Sequence, residues 1–149
     1  MNVFLDLEET VINNWTEGML LNSSRVRDWL QDLNIKQVRL FSFAIWNEKD
    51  QFRFEKEFKP VLRRALDVGF IDCPSVEDFI KADLKVTGVL WDNLHEFAVI
   101  RGKQDAFRSW CKLHFDGQHN VLLDDTVPNG IWHNKDSNLK LEFVNITAI

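Results

Sequence analysis

Tyrosine is missing from the 149 residues, cysteine occurs only twice, and no apolar run approaches the length of a bilayer span. Each shortage excludes something. Two cysteines, Cys73 and Cys111, are too few for the disulfide framework of a small stapled fold. A spanning helix needs about 18 or more consecutive apolar residues, so no membrane partner is expected. The formal charge is −5 and there is no broad basic stripe. The local run Arg63-Arg64 reads as a solvated helix face, so duplex nucleic acid is not an expected partner. The chain enters a strand at its first residues, which leaves no place for a signal peptide. A reducing cytoplasm is therefore the expected compartment.

Bulky apolar surface is present nonetheless, in twelve Phe and six Trp. Hydrophobic residues make up 45% and charged residues 28%, which is ordinary for a globular chain. The length suits one domain, residues 1–149, on one core. Residues 2–7 form a short, nearly continuous apolar run, the mark of a strand buried on both faces. Residues 23–33 read as a helix with Ser23 or Ser24 as its cap and Val26, Trp29, Leu30 and Leu33 on one face. Val38 to Phe43 is a second strand. A helical stretch over 48–68 is broken or restarted near Pro60, with Gly69 as its stop. Residues 70–73 are a third strand, and Pro74-Ser75 opens a short helix to Lys81.

Residues 83–102 are the least readable; Phe97 to Ile100 suits either a strand or a helix end. A helix follows over 103–114, with Phe107, Trp110 and Cys111 inward. Residues 120–123 form a buried strand closed by Asp124-Asp125, and 139–146 an alternating last strand. Strands and helices alternate throughout, with no repeat, low-complexity tract or linker. The expected fold is α/β: a three-layer α/β/α sandwich on a mainly parallel, Rossmann-like sheet.

Open parallel sheets bind ligands beyond the carboxyl ends of their strands, where strand order reverses. The polar groups placed there are Asp6, Glu8 and Glu9 after the first strand, Ser42 after the second, and Asp124-Asp125 after the late one. Five carboxylates in one crevice repel each other unless a cation intervenes. A hard divalent ion with oxygen ligands, Mg²⁺, is the expected cofactor.

The run V-F-L-D-L-E-E-T-V (residues 3–11) resembles the D-x-D-x-T signature of the haloacid dehalogenase-like (HAD-like) hydrolase superfamily. L-F-S-F-A (40–44) is similar to its second motif, G-K-Q-D-A-F (102–107) to its third, and N-V-L-L-D-D-T-V-P-N (120–129) to its fourth. The order is that of the superfamily, and the resemblance spans most of the chain. Within it, D-L-E-E-T-V and L-D-D-T-V-P-N look most like the D-L-D-E-T-L and D-D-S-P patterns of FCP/SCP-type protein phosphatases. About thirty residues separate the first two motifs, so the resemblance is to a capless type, without a large cap.

The resemblance implies roles. Asp6 would be the nucleophile that becomes an aspartyl-phosphate, and Glu8 the general acid and base. Ser42 and Lys103 would hold phosphoryl oxygens. Asp124, with Asp125 and Asp6, would bind Mg²⁺, and the Glu8 backbone carbonyl would be a further ligand. The implied activity is a Mg²⁺-dependent phosphatase acting on a phosphorylated substrate, a phosphoprotein or other macromolecular phosphate. One position departs from the pattern: the superfamily has Asp where this chain has Glu8, whose carboxyl reaches one methylene further. The alternative is therefore a catalytically weak or inactive HAD-like regulatory or binding protein, of the kind viruses or mobile elements carry.

Lys81, Lys85 and Lys112 are the alternatives to Lys103 for that place. A receiver-type reading also clusters acids and a Lys around Mg²⁺, but there the acidic pair comes early, whereas here D-x-E-x-T does. Cys111, His114 and His119 lack a fourth ligand for zinc. Trp15, Trp46 and Trp132 follow motif-bearing strands and read as ordinary packing.

Overall fold

The computed structural model describes residues 1–133 and 138–149. Six strands form one sheet: β1 (Asn2–Leu5), β2 (Gln37–Leu40), β3 (Gly69–Phe70), β4 (His119–Asp124), β5 (Gly130–His133) and β6 (Lys140–Asn145). Their spatial order is β3-β2-β1-β4-β6-β5. All neighbours pair in parallel except β5 with β6. The fold is thus α/β with a mostly parallel sheet, and the antiparallel edge strand β5 is an addition to the sequence reading. Its four residues, Gly-Ile-Trp-His, are mostly exposed. They carry neither the continuous apolar run nor the alternation that marks a half-buried strand.

Period-two alternation divides the strand side chains between two cores. Val3 and Leu5 of β1 and Val121 and Leu123 of β4 join one, with Val26 and Leu30 of α1 (Ser23–Asp32). Leu62 and Leu66 of a later helix join it too. Phe4 and Leu122 point the other way, into a core rich in aromatic rings. There Phe4 and Phe41 each meet Phe107 edge to face at 5.0 Å, a preferred ring geometry.

Several boundaries differ from the sequence reading. The cap of α1 is Asn22, in a left-handed conformation, rather than Ser23 or Ser24. The long helical stretch is α2 (Glu48–Arg53), a π-helical turn Phe54–Phe58, and α3 (Lys59–Leu66). Pro60 lies in the first turn of α3, directly after the π-helical turn. Asp67 rather than Gly69 ends α3, at φ 54, since a short polar side chain tolerates that region. β3 is only two residues long.

Helix α4 (Val76–Thr87) runs well past Lys81, because Phe79, Ala82 and Asp83 extend its buried face. It starts at a reciprocal Ser75–Asp78 capping box and stops at Gly88, at φ 77. Phe97–Arg101 is a π-helical turn after the short α5 (Leu94–Glu96), not a strand. α6 (Gly102–His114) follows directly. Among the described residues no helix is long and apolar enough to cross a membrane.

This winding fixes where a site can form. The chain steps from β1 to β2 to β3 on one side, then crosses to β4 on the other. β1 and β4 flank the point where strand order reverses, and their carboxyl ends open a crevice there.

Candidate functional site

Asp6 follows β1 directly, and its N–H donates to the Leu123 carbonyl of β4 at 3.0 Å, which ties the two strand tips together. A tight turn comes next: the Leu7 carbonyl accepts from the N–H groups of Thr10, Val11 and Ile12. That turn buries Leu7, Val11 and Ile12 in the first core and returns Thr10 toward Asp6. The Thr10 hydroxyl donates to Asp6 Oδ2 at 3.1 Å. The four-residue spacing in D-x-E-x-T thus has a local physical use.

Lys103 reaches the same point from α6. Its Nζ lies 2.6 Å from Asp6 Oδ1 and 2.6 Å from Asp124 Oδ1. Gly102, at φ 76, provides the backbone turn between the π-helical segment and α6. The preceding residue is anchored as well. Arg101 Nε pairs at 3.2 Å with the fully buried Asp83, which also accepts from Trp91 Nε1 and Ser109 Oγ. Lys112 instead pairs with Asp116, and neither Lys81 nor Lys85 lines the cleft around Asp6.

The three charges settle unevenly. Burial pushes the Asp6 carboxyl up to about 7; Lys103 opposes the rise and Asp124 adds to it. Burial also favours protonating Asp124, but Lys103 and the Thr126 and Val127 N–H groups outweigh it and hold that carboxyl below its usual range. Burial disfavours a charged Lys103, yet the two carboxylates prevail and raise it. The asymmetry follows from burial, which dominates at Asp6, set against the Lys103 charge and the donors that outweigh it at Asp124. Asp124 Oδ2 accepts from the Thr126 N–H, the Thr126 hydroxyl and the Val127 N–H, each at 2.9 Å. Asp6 Oδ2 accepts from Thr10, and the neighbouring Asp125 carboxyl pushes Asp6 up further.

Around these groups is a cleft of about 360 Å³ lined by Asp6, Glu8, Ser42, Lys103 and Asp125, among others. Ser42 is buried, and its Oγ accepts the Ala44 N–H at 3.1 Å. Phe43 and Ala44 on one side, and Ala98 of the π-helical turn on another, supply apolar walls. Glu8 is half-buried and its Oε2 accepts the Trp15 N–H at 2.9 Å. The sequence-derived site residues are thus gathered in one cleft, with Asp124 behind Lys103.

No protein-family model matches the chain, and no curated protein or solved structure matches it either. What the site can do therefore rests on its own chemistry. Asp6, Asp124 and Asp125 each offer a carboxylate oxygen, all within 4.8 Å of one another. Such an all-oxygen set suits a hard divalent cation, and the ammonium now between two of these groups shows that positive charge is favoured there. A divalent ion bound by ionised carboxylates competes with the proton on Asp6. Mg²⁺ affinity is expected to rise about tenfold per pH unit below about 7 and to flatten above it, with proton release on binding. Calorimetry in buffers of different ionisation enthalpy measures both.

Sequence reasoning missed the partners that hold the acids. Thr126 is one: Asp-x-Thr after a strand is the pattern of an Asx turn, and Asp124 Oδ2 makes that turn with Thr126 and Val127. Here one carboxyl oxygen makes the turn and the other faces Lys103. Cys111 is buried, and His119 lies 3.1 Å from Glu142, so these residues have ordinary structural surroundings. Trp46 and Trp132 pack against the aromatic core.

Proposed function

We propose that the protein is a Mg²⁺-dependent phosphatase that works through an aspartyl-phosphate on Asp6, with a phosphoprotein or other macromolecular phosphate as substrate. The finer fold reading belongs with it: a three-layer, HAD-like α/β/α sandwich. One observation carries the proposal. The Lys103 ammonium bridges Asp6 and Asp124 at the strand-order switch, in a cleft that also holds Glu8 and Ser42.

The residues divide the work as follows. An Asp6 oxygen attacks phosphorus, forming an O–P bond as the ester P–O bond breaks. Glu8 gives its proton to the leaving oxygen. Water then attacks phosphorus, the acyl-phosphate P–O bond breaks, and Glu8 takes a proton from that water. Lys103 and the Ser42 hydroxyl stabilise charge on the phosphoryl oxygens. Asp6, Asp124 and Asp125 would hold Mg²⁺, with the Glu8 carbonyl as a further ligand. When bound, Mg²⁺ supplies the positive charge that transfer of a phosphoryl group requires.

The test is release of phosphate from an aryl phosphate ester. Turnover is expected with Mg²⁺, to be abolished by EDTA and restored by excess Mg²⁺. Turnover insensitive to EDTA would remove the metal from the proposal. No turnover at any Mg²⁺ concentration would favour the second reading.

That second reading, a catalytically weak or inactive regulatory or binding protein, draws on the Glu8–Trp15 hydrogen bond. A carboxylate that spends one oxygen on a backbone N–H has less freedom to reach a leaving group. This reading expects a partner whose capture survives Asp6→Asn. It also expects Glu8→Asp to change phosphatase activity strongly, by restoring the shorter side chain.

A further inference from the structure

We infer that Arg53 is a positioning residue for Glu8, acting through the Trp15 loop; the inference rests on the phosphatase reading above. Glu8 Oε2 accepts the Trp15 N–H at 2.9 Å, and among the described residues its Oε1 has no hydrogen-bond partner while the side chain lines the cleft. The aim of the acid therefore depends on where Trp15 is held.

Trp15 lies in a turn closed by an antiparallel Ile12–Leu20 bridge, and its neighbours Thr16 and Glu17 are exposed. Arg53, at the end of α2, grips that loop from below. Its Nη1 donates to the Trp15 carbonyl at 2.7 Å and its Nη2 to the Thr16 carbonyl at 3.3 Å. The guanidinium also covers the Trp15 ring at 4.9 Å and the Phe58 ring at 4.8 Å. Glu57 orients it through Nε at 2.8 Å.

The π-helical turn that starts just after Arg53 brings Phe58 against Trp15, with ring centroids 4.8 Å apart. The loop approaches so closely that a Cβ on Gly18 would lie 2.2 Å from a Phe58 ring carbon. Two fork donors, a stacked plane and an oriented Nε cannot all be supplied by an ammonium. Residue 15 thus presents its N–H to Glu8 and its carbonyl to Arg53.

The consequence appears at one atom. When Asp6 attacks, its oxygen bonds to phosphorus, the ester P–O bond breaks, and the Glu8 proton passes to the departing oxygen. An acidic phenol leaves without that proton, whereas a serine or other alkyl oxygen needs it. Loss of Arg53 should therefore be felt in proportion to leaving-group basicity.

The experiment compares wild type, Arg53→Met, Arg53→Lys and Glu8→Gln on aryl phosphates of graded phenol acidity and on a phosphoserine peptide. The reading is the rate of leaving-group release in the first step, phosphoryl transfer to Asp6, since the water-attack step that also uses Glu8 is common to every substrate. Arg53→Met is expected to lower that first-step rate about 10²-fold on the peptide, within the range of lost acid–base catalysis, and to change it little on the most acidic aryl ester. Glu8→Gln should repeat the pattern, and Arg53→Lys should recover part of it. An equal loss of first-step rate on every substrate would mark Arg53 as merely structural and overturn the inference.

A second measurement does not depend on turnover. The Trp15 amide hydrogen should exchange slowly with solvent in wild type, where Glu8 holds it, and faster in Arg53→Met, where the loop is released. If exchange at Trp15 is equally slow in that variant, the inference fails whether or not the protein is a phosphatase. If wild type lacks turnover on every ester, the phosphatase reading fails, and the inference with it.

Discussion

Replacing Lys103 by Met is expected to destabilise the metal-free protein by about 3–5 kcal/mol at pH 8, the cost of removing one partner from a buried ion pair. Lys103 Nζ sits 2.6 Å from a carboxylate oxygen on each of two acids, and both acids are buried. Without the ammonium, two like charges share one pocket. The site's remaining escape is to take up a proton, and Asp6, already raised to about 7, would take it.

The loss should therefore be smaller at pH 5.5 than at pH 8. The wild-type sign is related. An acid whose folded value lies above its ordinary 3.8 favours the folded state most at low pH. That contribution disappears as the pH rises through about 7. At the proposed metal site Mg²⁺ would bind only the folded arrangement, and so should restore part of the variant's stability as its concentration rises. Urea unfolding at both pH values, in EDTA and in Mg²⁺, measures all of this. A loss under 1 kcal/mol, independent of pH, would mean that Lys103 does not balance these acids.

Asp6→Asn is expected to lower turnover of an aryl phosphate by at least about 10³-fold, the scale on which loss of a nucleophile acts. Folding should survive. The amide keeps the side chain's volume, its oxygen still accepts from Lys103 or Thr10, and a buried charge is removed rather than created. Near-UV dichroism and the thermal midpoint check the fold. Mass spectrometry of wild type during turnover should show a phosphoryl group on Asp6 that hydroxylamine removes. Equal rates in wild type and Asp6→Asn would end the covalent mechanism on Asp6.

The parts of this molecule that were readable in the sequence are those where a single physical demand acts on consecutive residues. β1 and β4 are buried on both faces, so Val3-Phe4-Leu5 and Val121-Leu122-Leu123 read as unbroken apolar runs. The acids at their ends were readable too, since a carboxylate closing such a strand has few structural uses. Residues that answer to partners elsewhere were not readable. Arg53 looks like any charged residue on a helix, and only the fold brings it to Trp15. Within the obscure residues 83–102, the hydrogen bonding of Phe97–Arg101 shifts to a π-helical turn, whose spacing matches neither a strand nor an ordinary helix. Gly69 misled for a simple reason: Asp67 already adopts the left-handed conformation that a helix stop requires.

The strand pairing also has a consequence for how the chain is made. β1 is made well before β4, yet β4 is one of its two neighbours, with Phe4 opposite Leu122. Until that late partner is translated, Val3, Phe4 and Leu5 lack half of their backbone partners and much of their cover. Contacts that distant in sequence form slowly, and an apolar strand waiting for its neighbour is a target for the wrong one. A nascent chain halted before residue 119 should therefore depend on chaperones, while the finished one should not.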